Sequence, residues 1–445
     1  MTATVKPILD LNAFRDDASA APAGSLLARR RANFGAASVL FYSDPIEVVR
    51  GQGVWMEAAD GQRYLDFYNN VPSVGHCHPR VVAAIAEQAA TLNINTRYLN
   101  ERVESYLERL KATLPAEISN AVLCCTGSEA NDLALRVAAK ASGGSGVVVT
   151  EAAYHGNTAA VTDISPSAWK HAGPVPAHVR IVPPPSAAAF GADIAQGFAD
   201  AVAAAFADLQ ASGIRPAAFI CDSIFSSDGV YADPPGFLAL AVAAARAAGA
   251  LYIGDEVQPG FARTGDAMWG FARHGVTPDI VTMGKPMGNG FPMAAMLARP
   301  DLLALFCQDV GYFNTFGGNP VAAAAGLAVL EVIAEEGLQA NALAIGGHLK
   351  ARLAALAQRF PVVGAVRGAG LFIGIELSRP GDPALPDPAA ATALIAGLHR
   401  RGVLIGAAGR YGNTLKVRPP LCLTEAEADL FADALADSLE ELAAA

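Results

Sequence analysis

Between residues 100 and 335 the chain alternates short apolar runs with longer amphipathic stretches. That rhythm restricts the fold more than any single motif does. Ala121 to Cys125, Val147 to Thr150, Ala217 to Cys221, Ala250 to Gly254 and Ile280 to Met283 read as short buried strands. Helical segments fall between them, notably the one running to about Ala141, with Leu133, Val137 and Ala141 on one face, and Phe237 to Ala248. Strand and helix in repetition predict a doubly wound, parallel sheet. Each run ends at residues able to do chemistry: Gly127-Ser128, Tyr154-His155, Asp222, Asp255-Glu256 and Lys285. Open α/β sheets place ligands beyond the carboxyl ends of their strands. Buried charges there are seldom needed for stability, which favours a site.

At 445 residues, two or three lobes are expected. Hydrophobic residues make up 52% and charged residues 17%, enough for a large core and against disorder across the chain. A net charge of -10 with no basic stripe argues against nucleic-acid binding. The cysteines (Cys77, Cys124, Cys125, Cys221, Cys307 and Cys422) lack C-x-x-C spacing, which suits a reducing cytosol. Met1 to Gly24 has no apolar core of a signal peptide, and no apolar run reaches membrane length. A soluble, cytoplasmic protein without a membrane partner is the expectation. His76 and His78 flank Cys77 but alternate in direction with no second ligand pair, so no metal site is expected.

On either side of the alternating region the texture differs. Residues 1 to about 40 read as an irregular arm whose Arg29-Arg30-Arg31 is a solvated face. Val48, Val54 to Met56 and Tyr64 to Phe67 read as an antiparallel meander with an Asp60-Gly61 turn. Pro79 to Thr91 and Val321 to Glu335 read as helices. After 335, two helices frame a second meander through Val362-Val363, Gly370 to Leu377 and Leu415 to Val417. Pro380 to Pro388 is expected as a surface loop and Glu425 to Leu442 as a packing helix. The expected units are 1–70 (arm and part of a small domain), 71–335 (large domain) and 336–445 (the rest of the small domain). Gly368-x-Gly370-x-x-x-Gly374 imitates a dinucleotide fingerprint, but strand-like Phe372 to Ile375 follows it, so NAD is rejected.

Four features share one explanation. Gly127-Ser128 at a helix start suits a phosphate, although an ordinary serine cap would look alike. Tyr154 offers an aromatic face and Asp255 a carboxylate. Lys285, between Gly284 and the pair Gly288 and Gly290, offers an amine with room beside it for a flat ligand. Lysine becomes nucleophilic once desolvation or neighbours lower its pKa. Pyridoxal phosphate has a phosphate, a flat ring, a ring nitrogen needing a carboxylate and an aldehyde needing an amine.

With these pieces in order, the chain resembles the class III, fold-type-I, pyridoxal-phosphate-dependent aminotransferases. The stretches that carry the resemblance are Gly75 to Pro79, Thr126 to Asn131, Tyr154-His155-Gly156, Asp255 to Gln258, Gly260 to Gly265, Lys285 and Phe316 to Pro320. It implies a large, mostly parallel, seven-stranded-type sheet domain and a smaller α+β domain formed by both termini. It also implies a cofactor site of Gly127, Ser128, Tyr154, His155, Asp222, Asp255, Val257, Gln258, Lys285 and Thr315. Lys285 and Asp255 would be catalytic, Tyr154 would stack on the ring, Val257 would pack on it and Gln258 would approach its hydroxyl. Thr315 would reach the phosphate of a neighbouring subunit, because the family's sites lie at a homodimer interface. The implied reaction moves an amino group from an amine to a keto acid such as pyruvate.

The texture is most similar to the alanine–glyoxylate aminotransferase 2-like branch, which includes phospholyases. Asn69-Asn70-Val71, Asn95-Thr96-Arg97 and Leu415 to Pro420 match it. Elimination of phosphate and ammonia from phosphoethanolamine is therefore the alternative, with Arg97, Lys416 and Arg418 as candidate substrate contacts. Lys416 stands where many relatives carry a carboxylate-clamping arginine, and a lysine does not reproduce a bidentate clamp. Asp222 stands where the family usually has a glutamate, and Phe291-Pro292-Met293 replaces His-Pro-Val.

Overall fold

A computed structural model describes residues 24–37, 39–42, 44–170 and 173–444, together with positions 7, 10, 11, 13 and 22. About half of the expected N-terminal arm, and most of the stretch read for a leader, lies outside the described residues.

The alternating region forms a seven-stranded sheet. Its order across the sheet is Asn120–Cys124, Ala294–Ala298, Ile280–Met283, Leu251–Asp255, Pro216–Cys221, Gly146–Thr150 and Val179–Val182. Neighbours run parallel except Ala294–Ala298, which is antiparallel to both strands beside it. The pleat sends alternate side chains to opposite faces. Val147 and Val149 join Leu133, Val137 and Ile253 on one side, while Val148 joins Phe198, Phe206, Phe219 and Tyr252 on the other. Both faces are dry, which is why the strands read as unbroken apolar runs. Ala294–Ala298 and Val179–Val182 escaped the sequence reading. The first is mostly alanine, a helix former; the second is interrupted by Arg180.

The meander of Val48–Gln52, Trp55–Ala58 and Arg63–Asp66 is completed from far along the chain, by Val403–Leu404 pairing parallel with Leu65 and Asp66. A third sheet contains Val363–Ala369, Phe372–Arg379, Thr414–Val417 and Gly406–Ala408. Two expectations need correction. The stretch Pro380 to Pro388 is not all loop: Asp382–Pro386 forms a strand on Phe372–Arg379. The arm contains a helix, Leu26–Phe34, capped by Ser25 Oγ, which accepts from the Ala28 N–H. Its arginine run offers no apolar stripe, so periodicity missed it, but the Ser25 cap was a legible start signal. Among the described residues, no helix is long and apolar enough to cross a membrane.

Candidate active site

The parallel pairing of Leu251–Asp255 with Ile280–Met283 sets Asp255 opposite Thr282, so Asp255 and Lys285 emerge at the same sheet edge. A tight helical turn, Lys285–Gly288, follows and ends at Asn289 in the left-handed region (φ 49°). Asn289 Oδ1 accepts from the Val74 N–H at 3.0 Å, and its Nδ2 donates to the Gly75 carbonyl at 2.8 Å. The lysine turn is thereby pinned to the segment leading into the helix Pro79–Thr91. Lys285 retains partial exposure. Burial, reinforced by the Arg418 charge, pushes its amine down to about 8, against the pull of Asp255 and Asp222. The neutral amine, the form able to attack an aldehyde, is the minor species below that pH and the major one above it. Cofactor uptake by the apoprotein is thus expected to accelerate as pH rises through about 8, measured as the growth rate of the visible absorbance band. A rate flat from pH 6.5 to 9.5 would contradict that ionisation.

Asp255 is buried among donors. Its Oδ2 accepts from His155 Nδ1 at 2.7 Å and Asn131 Nδ2 at 3.0 Å, and its Oδ1 accepts from the Val257 N–H at 3.1 Å. Asn131 Nδ2 also donates to the His155 carbonyl at 2.8 Å, and Thr282 Oγ1 donates to Asn131 Oδ1 at 2.6 Å. The result is a carboxylate whose orientation is fixed and whose Oδ1 has capacity for one more partner.

Beside it, the helix Gly127–Ser142 begins in a capping box between Thr126 and Glu129. The first N–H groups of a helix lack intrahelical partners and carry the positive end of its dipole, which suits a phosphate. At Gly127 a Cβ would lie 3.0 Å from a Val257 methyl, and at Gly156 (φ 142°) it would lie 2.5 Å from Ser128 Oγ. Only glycine leaves this cradle open. Asn314 Nδ2 donates to Glu129 Oε1 at 3.2 Å, tying the turn that carries exposed Thr315 to the same helix start. Tyr154 is half-buried, and that burial raises its phenol.

Lys416 and Arg418 enter from the third sheet. Lys416 is buried and its amine is pushed well below the usual lysine range, first by burial, then by Arg418; Asp222 opposes the shift. The Arg418 guanidinium sits 4.5 Å from the Tyr68 ring centre. Its NH1 makes only long contacts, 3.5 Å, with Asn70 Oδ1 and Gln258 Oε1, and its Nε is buried without a partner. Asn70 Nδ2 donates to Gln258 Oε1 at 2.6 Å. Buried Arg263, from the stretch Gly260 to Gly265, donates to the Pro419 carbonyl and so anchors the chain next to Arg418. Asp222 turns inward on its own loop, accepting from the Ile224 and Ser226 N–H groups and from Ser226 Oγ. Arg97 is exposed and lies over the Phe313 ring at 4.1 Å, apart from these contacts.

Asn131, Thr282, Asn70 and Tyr68 have no role assigned by the sequence reading. Asn131 was detectable in principle, as an amide buried between Ala130 and Ala134 one turn into the helix that carries Gly127.

Residues 41–439 match the family described as aminotransferase class-III. The chain belongs to that family. This class-III aminotransferase chain is 40% identical over 419 residues to a Drosophila melanogaster protein named alanine–glyoxylate aminotransferase 2-like, covering 90% of this chain and 84% of the relative. It is 36% identical over 420 residues to an ethanolamine-phosphate phospho-lyase homologue of Caenorhabditis elegans, covering 90% of each. Among solved structures it superposes on a phospholyase from Arthrobacter in complex with phosphoethanolamine, with TM-score 0.89 and 44% identity, covering 94% of this chain and 99% of that one. The family's enzymes depend on pyridoxal phosphate. The donor-lined Asp255, the open Gly127–Gly156 cradle and the desolvated Lys285 fit that cofactor's ring nitrogen, phosphate and aldehyde.

Proposed function

We propose that this chain is a pyridoxal-phosphate-dependent lyase that removes phosphate and ammonia from a small amino phosphate ester such as phosphoethanolamine. The observation that carries this reading is the pair of basic side chains Lys416 and Arg418, buried beside Lys285 with the Arg418 Nε lacking a partner. A buried guanidinium nitrogen without an acceptor is costly and calls for an anionic ligand. The phospho-lyase names of two relatives support the same reading.

When bound, the cofactor supplies an electron sink for a bond broken at the amine-bearing carbon. Lys285 takes the proton from that carbon. Asp255 holds positive charge at the opposite end of the site, fixed there by His155 and Asn131. Lys416 and Arg418 receive the leaving phosphate as the carbon–oxygen bond breaks. With one water added, phosphoethanolamine yields phosphate, ammonia and acetaldehyde. Tyr154 and Val257 would enclose the cofactor ring, and Gly127 and Ser128 would hold its phosphate.

Transamination to a keto acid such as pyruvate, including ω-transaminase activity, is the second reading. Lys285 and Asp255 serve it equally, and it needs no phosphate leaving group. The active species in either case is a homodimer with shared sites. Phe313 and Phe316 are exposed on either side of Thr315, and Tyr98 and Leu99 are exposed next to Arg97, whose guanidinium lies over Phe313; these apolar side chains offer a second copy surface to cover. All six cysteines are unpaired thiols, in keeping with the cytoplasm. The deciding experiment uses protein whose sedimentation mass is twice the 45.7 kDa chain. Phosphoethanolamine without a keto acid should release phosphate and ammonia continuously while the visible band persists. Bleaching of the band by alanine or isopropylamine, its return with pyruvate, and no phosphate release would instead establish the transaminase.

A further inference from the structure

The hydrogen-bond pattern beneath Asp255 has a fixed polarity. Asn131 Nδ2 meets two groups that can only accept, the His155 carbonyl and the Asp255 carboxylate. The amide therefore cannot be flipped, and its Oδ1 must face Thr282, whose hydroxyl must donate. Asn131 and Thr282 are each fully buried, so neither has water as an alternative partner. Thr282 belongs to the strand that ends in Lys285, and Asn131 to the helix that begins at Gly127. One relay thus touches the elements that hold all three ends of the cofactor.

We propose that Thr282, acting through Asn131, is a positioning residue that aims Asp255 at the cofactor's ring nitrogen and locks the strand of Lys285 to the phosphate-binding helix. Thr282 touches neither cofactor nor substrate in this role. Without its hydroxyl, the Asn131 oxygen is buried unpartnered and the amide is free to rotate away from Asp255. The inference rests on the cofactor reading above.

The test compares T282V, which is nearly isosteric but cannot donate, with T282S, which restores the hydroxyl. Two quantities are read: the dissociation constant of pyridoxal phosphate, from quenching of apoprotein fluorescence, and the pH midpoint of the visible band in loaded protein. T282V should weaken cofactor binding about tenfold, the effect of one buried hydrogen bond lost. It should also move the midpoint upward, since a ring nitrogen less firmly held as a cation withdraws fewer electrons. T282S should lie within about threefold of wild type, inside the effect of one hydrogen bond. N131D, isosteric and independent of Thr282 packing, sets a second carboxylate against Asp255 and should weaken binding at least about a hundredfold. Wild-type values in T282V, equal losses in T282V and T282S, or wild-type binding by N131D would each overturn the proposal. A wild-type protein that develops no visible band with pyridoxal phosphate would overturn the cofactor reading itself, and the proposal with it.

Discussion

Lys285→Ala is expected to lower turnover at least about 10⁴-fold, whichever reaction the enzyme runs. The lysine carries two tasks that nothing nearby can take over. Under the proposed function it is the amine that captures the cofactor's aldehyde and the base at the carbon that loses a proton. General-base catalysis alone contributes about 10²- to 10⁴-fold, and loss of covalent capture adds to that. The other nearby lysine, Lys416, is held on a different sheet and hemmed by Arg418. The variant should fold, because removing a half-buried amine whose charge is disfavoured there leaves no partner stranded. Absorbance should show cofactor bound without the wild-type visible band. Substantial turnover in this variant would remove the central assignment.

Asp255→Asn should cost about 10³-fold in kcat, near the upper end for loss of one preorganised electrostatic partner. The neighbours explain why so small a change matters. His155 Nδ1, Asn131 Nδ2 and the Val257 N–H all donate to this side chain. An asparagine has one oxygen for donors that now occupy two, so its amide hydrogens must face either a buried N–H or the cofactor nitrogen. The second arrangement presents a donor where an anion is required. Retained kcat together with a melting temperature near wild type would show that Asp255 does not serve the ring nitrogen.

The sheet was legible where a buried parallel strand is an apolar run, as in five of the seven strands, and the polar residues at their ends stand out against it. That contrast made Asp255 and Lys285 visible without coordinates. It fails where a strand imitates something else, as alanine-rich Ala294–Ala298 does. Register was also out of reach: only the pairing of Asp255 with Thr282 brings Thr282 under Asn131, and no local pattern encodes it. For Asp222, which the resemblance places at the cofactor, the loop hydrogen bonds from Ile224 and Ser226 that orient its carboxylate likewise have no local sequence signature. The contact of the Arg97 guanidinium with the Phe313 ring joins residues more than 200 apart and is likewise not encoded locally.

The pairing of Val403–Leu404 with Leu65–Asp66 bears on how the chain is made. As the ribosome emits residues in order, the edge of the first meander waits through about 340 residues, roughly 17 to 70 s of synthesis, before its partner exists. During that interval Leu65, buried in the finished protein, lies along an open edge able to pair with other nascent chains. Protein yield in a recombinant host should therefore depend on chaperone supply during translation more than on the stability of the completed fold.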